Sequence, residues 1–94
     1  MSRVQFEWDN SKNQINIAKH NVSFEEAQTA FFDEQALLID DPDHSENEER
    51  FILLGFSTSL RLLVVCHCYR QSDDVIRLIS ARKATRLEAR QYQG

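Results

Sequence analysis

Two glycines, one proline and two cysteines are all that the 94 residues contain of these types. So little glycine and proline excludes flexible linkers, and the elements should be joined by tight turns into one domain spanning 1–94. A chain of this length buries one core, not two. Long apolar runs are also missing. Neither "FILLGF" nor "LLVVC" approaches the roughly 20 residues of a membrane span, and "MSRVQFEWDN" has no apolar targeting core. Cys66 and Cys68 share one face of a strand-like stretch, poor geometry for a disulfide, so a reduced, cytoplasmic protein is expected.

Positive charge is scarce overall, with a net charge of −4, but it is unevenly spread. Residues 1–49 carry three basic and twelve acidic side chains, whereas residues 50–94 carry eight basic and three acidic, giving −9 and +5. Five of the cations fall in "IRLISARKATRLEARQY": Arg77, Arg82, Lys83, Arg86 and Arg90. Such asymmetry points to a polyanion-binding surface in the C-terminal half.

The order of elements is readable from pattern. "RVQFEW" (3–8) alternates as a short edge strand. Asp9 caps a polar helix over 10–20, with Ile15 and Ala18 on one face, and Asn21 suits the left-handed residue that ends it. Ser23 and Glu26 form a capping box, Val22 and Ala27 a hydrophobic staple, and Phe24, Ala27, Ala30 and Phe31 a buried stripe. "ALLI" (36–39) predicts a strand, and "DDPDHSENEE" an acidic connection without the glycine or ligand spacing of a calcium loop. "RFILLGFS" (50–57) and "RLLVVCHCYR" (61–70) predict a hairpin, and "VIRLISA" (75–81) a further strand. Thr85 and Glu88 form a second capping box opening a short last helix. The fold expected is α+β, with an antiparallel sheet of three to four strands and helices packed on one face.

Strand alternation sets Leu63, Val65, His67 and Tyr69 on one face, opposite Leu62, Val64, Cys66 and Cys68. Cys66, His67 and Cys68 therefore cannot converge on one ion, and no metal site or cofactor is expected. Val75, Arg77, Ile79 and Ala81 should share a face of the next strand, which could bring Arg77 near His67 across the ladder. Imidazole beside guanidinium suits RNA chemistry, one taking the 2′-hydroxyl proton and the other holding phosphate as charge builds. A histidine filling a strand position is the plainer reading of the spacing. Lys19 and His20 satisfy the end of the first helix, while Arg82 and Lys83, before Thr85, could hold a phosphate with backbone amides.

"FEWD" (6–9), "KHNVSFEEA" (19–27), "DPDHSENEER" (41–50), "RLLVVCH" (61–67) and "IRLISARKATRLEARQY" (76–92) together resemble the BrnT family of type II toxins. The family often has glycine where this chain has Asn21, and it does not require the two cysteines flanking His67. The resemblance implies a RelE-like fold, metal-independent RNA cleavage that halts translation, and neutralisation by a BrnA-like antitoxin. That antitoxin would carry a ribbon-helix-helix domain, reach operator DNA on behalf of the pair, and form a heterotetramer of two toxins and two antitoxins. On this footing His67, Arg77 and Arg82 are the expected catalytic residues. Lys83, Lys19, His20, Tyr92, Arg70 and Arg86 are expected to contact RNA. The rival reading is a non-catalytic binding module or co-repressor with the same basic face, or an inactivated relic. A binding module would tolerate neutral replacement of His67, and incubating the purified protein with RNA, with and without EDTA, separates these readings.

Overall fold

A computed structural model describes residues 4–41, 49–70 and 74–92. Its elements run β1 (Gln5–Glu7), α1 (Asn10–His20), α2 (Phe24–Thr29), a 3₁₀ turn (Ala30–Phe32), β2 (Leu37–Asp40), β3 (Phe51–Phe56), β4 (Leu62–Arg70), β5 (Val75–Lys83) and α3 (Arg86–Ala89). The acidic connection over 42–48 lies outside the described residues.

The helix boundaries follow the caps. Asp9 accepts from the amides of Ser11 and Lys12, and Asn21 adopts φ 58° and ψ 34°, its N–H closing on the Ile17 carbonyl. Asparagine can take this left-handed position with little penalty, so α1 stops there. Ser23 accepts from the Glu26 amide. The Glu26 carboxylate does not return to the cap, because Arg61 and Ser57 hold it instead. At Thr85 and Glu88 both halves of the capping box form.

All five strands join one sheet in the order β1-β5-β4-β3-β2. Strands β2 to β5 form the expected antiparallel part, but β1 adds to the edge of β5 in parallel, so the sheet is mixed and has five strands rather than three to four. Among the described residues β1 pairs through Gln5–Glu7 alone, against Val75–Arg77, which leaves the later part of that edge of β5 to another partner.

One sheet face carries the core. Leu53, Leu63, Val65, Ile76, Leu78 and Ala81 pack against Val22, Phe24, Ala27 and Ala30, with Phe6, Trp8 and Phe31 around them. The stripe expected on α2 is therefore the buried one. Gly55 sits beneath the 3₁₀ turn, where a Cβ would meet the Ala30 carbonyl oxygen and the Ala36 Cβ at 3.0 Å each. Helix α1 behaves differently. Ile15 is 63% exposed and Ala18 is also exposed, whereas Asn13 and Asn16 are buried. The Asn16 amide donates to the carbonyls of Val22 (2.7 Å) and Ala81 (2.8 Å) and accepts from the Ala81 N–H (3.1 Å). It serves the edge of β5 where β1 has already ended, which ties α1 alongside the sheet.

Candidate nucleic-acid interface

The alternation expected in β4 places His67 on the core face. It is fully buried, with ring centroids of Phe31, Tyr69 and Phe51 at 4.8, 5.3 and 6.2 Å. Its Nδ1 lies 3.1 Å from the Val65 carbonyl, which can only accept, so Nδ1 carries the proton. Nε2 is buried and has no hydrogen-bond partner among the described residues. Burial holds the imidazole below its ordinary pKa of 6.5, against the opposing effect of the Val65 bond.

The expected neighbourhood of His67 and Arg77 does not form. Cys66 pairs with Ser80 but His67 pairs with Leu78, a bulge that inserts Ile79 into β5. Beyond it the side-chain parity of β5 is reversed. Ala81 joins Leu78 and Ile76 in the core, while Arg77, opposite Cys68, takes the other face. His67 and Arg77 thus stand on opposite sides of the sheet, and Val75, Arg77, Ile79 and Ala81 do not share a face. Cys66 and Cys68 also face away from His67. Burial first, then the Asp41 carboxylate, pushes the Cys66 thiol up to about 11.

The arginines occupy two stations on β5, separated by about 16 Å at the usual rise of a strand. At one end Arg77 donates to Glu7 at 3.0 Å, and Arg70 approaches the same carboxylate at 4.0 Å. At the other end Arg82 meets Glu88 through two parallel bonds, Nη1 to Oε1 and Nη2 to Oε2, each 2.8 Å. The Arg82 hydrogen bonds hold the Glu88 carboxyl down at about 2. The phosphate position expected at the junction of β5 and α3 is thus taken by the protein's own carboxylate, which also accepts from the Thr85 N–H at 2.9 Å.

This second station gathers further cations. The Ala84 N–H bonds the Leu62 carbonyl, which places the end of β5 beside the start of β4. There Arg61 is bound to Glu26 and donates to the Asn21 carbonyl at 3.0 Å, bringing in the end of α1 with Lys19 and His20. Among the described residues Lys19, Lys83 and Arg86 have no carboxylate partner, and all three are exposed. Tyr92 is occupied otherwise. Its hydroxyl donates to Asp33, its ring lies 5.0 Å from that of Phe56, and the Asp33 bond raises it to about 12.

Glu7, Glu26 and Glu88, which organise these guanidiniums, were not singled out for that role by sequence. Glu88 was visible only as a capping residue. Its reach to Arg82 depends on the strand-to-helix turn, which no spacing rule encodes.

A mixed five-strand sheet with helices against one face and cations at its ends defines a small α+β protein of a kind already solved. The crystal structure of the Brucella abortus ribonuclease toxin, BrnT, matches with a TM-score of 0.65 at 24% identity, covering 88% of this chain and 99% of that one. The family model described as "Ribonuclease toxin, BrnT, of type II toxin-antitoxin system" matches residues 8–88, and the chain belongs to this family. No curated protein matches it. Among the described residues no helix is long and apolar enough to cross a membrane.

Proposed function

We propose that this chain is an endoribonuclease toxin whose RNA-binding surface lies where β4 begins and β5 ends. One observation carries the reading: Lys19, His20, Arg82, Lys83 and Arg86 come to one end of the sheet in a protein of net negative charge. Phosphate contacts dominate affinity for nucleic acid, so local charge outweighs the total.

The reaction is internal transfer. The RNA 2′-oxygen attacks the adjacent phosphorus as its proton leaves, and the 5′-oxygen departs with a proton, giving a 2′,3′-cyclic phosphate and a 5′-hydroxyl. Guanidinium stabilises the charge growing on the phosphoryl oxygens, the task a metal ion performs elsewhere, so the cleavage is metal-independent. Arg82 is the ligand of the scissile phosphate. Arg77, about 16 Å away along β5, and Arg70 at the end of neighbouring β4 meet the RNA at another phosphate. His67 faces the core, so we assign proton transfer to His20, half-buried at the end of α1.

The sheet is of RelE-like type in this reading, and cleavage of messenger RNA inhibits translation. A family of type II toxins implies an antitoxin, here a BrnA-like protein with a ribbon-helix-helix domain that alone contacts operator DNA.

Binding of an uncleavable 2′-O-methyl RNA across a salt series tests the surface. Lys83→Ala should lower the slope of log affinity against log salt by about 0.7, one phosphate contact on a single strand. An unchanged slope for both Lys83→Ala and Lys19→Ala would place the RNA elsewhere.

A further inference from the structure

The Arg82–Glu88 contact leaves part of the guanidinium unused. This group has five N–H donors in one plane. Glu88 takes one from Nη1 and one from Nη2, and the Lys83 carbonyl takes the second of Nη1 at 3.3 Å. The remaining two, on Nε and Nη2, lie parallel along one side, and no described residue accepts from them. Two parallel N–H bonds match two oxygens of a phosphate. Glu88 is itself anchored, since Thr85 N–H donates to its carboxylate and its own N–H donates to Thr85 Oγ at 3.1 Å. The Arg82 side chain remains 40% exposed beside Glu88.

We infer that Glu88 is a positioning residue for Arg82, fixing the guanidinium so that its Nε–Nη2 edge is presented to an RNA phosphate. This rests on the reading of Arg82 as a phosphate ligand. The carboxylate subtracts local positive charge, which weakens ground-state attraction for RNA. It contributes orientation in exchange, and orientation is what a transition state requires. Binding and catalysis should therefore move in opposite directions when Glu88 is neutralised.

The test measures RNA affinity and single-turnover cleavage for Arg82→Ala, Glu88→Gln and Thr85→Ala. Glu88→Gln should bind RNA more tightly yet cut about tenfold more slowly or worse. Thr85→Ala, which weakens the cap but keeps the carboxylate on Arg82, should lose stability with a smaller loss of rate. If Arg82→Ala alters neither affinity nor rate, the phosphate-ligand reading itself is wrong. If Arg82→Ala impairs cleavage while Glu88→Gln cuts at the parental rate, only the positioning role is overturned. A measurement on the unaltered protein covers failure of Glu88→Gln to fold. On addition of 2′-O-methyl RNA, the Arg82 Nε–H resonance should shift with the Lys83 amide. An Nε–H that stays still while the Lys83 amide moves would overturn the inference.

Discussion

His67 has one ring nitrogen satisfied and one buried without a partner among the described residues, and this asymmetry governs its behaviour with pH. An unmet buried acceptor costs about 1–3 kcal/mol, and protonating it would place a charge among Phe31, Phe51 and Tyr69. Because its folded pKa is depressed below 6.5, the unfolded chain takes up the proton first. Stability from the neutral ring is therefore complete above pH 6.5 and declines as pH falls through and below that value. Glu88, held near 2 from an ordinary 4.5, adds a separate loss only below pH 4.5. His67→Phe keeps a ring and removes the titrating group. It should melt with less pH dependence between about 6.5 and 5 while still cutting RNA. His20→Gln should cut roughly 10²- to 10⁴-fold more slowly. A folded, inactive His67→Phe beside a fully active His20→Gln would return the proton-transfer role to His67.

At the level of elements, α1 shows what sequence pattern misses. Its apolar residues suggest a face through Ile15 and Ala18, yet the buried positions are Asn13 and Asn16. The reason is the short β1, which leaves backbone groups of β5 unpaired at Ala81, and an amide satisfies them better than a methyl. Asn13 does similar work for α2, accepting from the Phe24 N–H at 2.8 Å. Replacing Asn16 with Leu would keep the branched side chain and strand three hydrogen-bonding groups, so a loss of about 2–4 kcal/mol is expected from chemical denaturation. A loss below about 0.5 kcal/mol, the range of ordinary surface substitutions, would contradict the clamp. The caps, the left-handed Asn21 and the faces of β4 were legible because each depends on residues within a few positions. The Ile79 bulge and the parallel pairing of β1 were not, because they are settled by strands far apart in sequence. That single inserted residue separates His67 from Arg77, which is why the candidate site read from alternation was not the one assembled.

For the whole molecule, the split between an acidic first half and a basic second half becomes a spatial question. Glu7, Glu26 and Glu88, two of them from the acidic half, are spent on Arg77, Arg61 and Arg82. In the proposed reading, the cations left without a carboxylate where β4 begins and β5 ends would meet an acidic or amphipathic antitoxin segment as well as RNA. Co-expression with the adjacent gene product should restore growth and yield a complex with the mass of two copies of each chain by light scattering. Failure of the two proteins to co-purify at moderate salt would reject the pairing.

The central claim is that guanidinium and imidazole groups, without a metal ion, carry out RNA cleavage. Incubating the purified chain with a labelled RNA in EDTA, and analysing the ends of the products, tests this most directly. The account predicts undiminished cleavage and a 2′,3′-cyclic phosphate at the new end. Cleavage that stops in EDTA and returns with a divalent ion would contradict it.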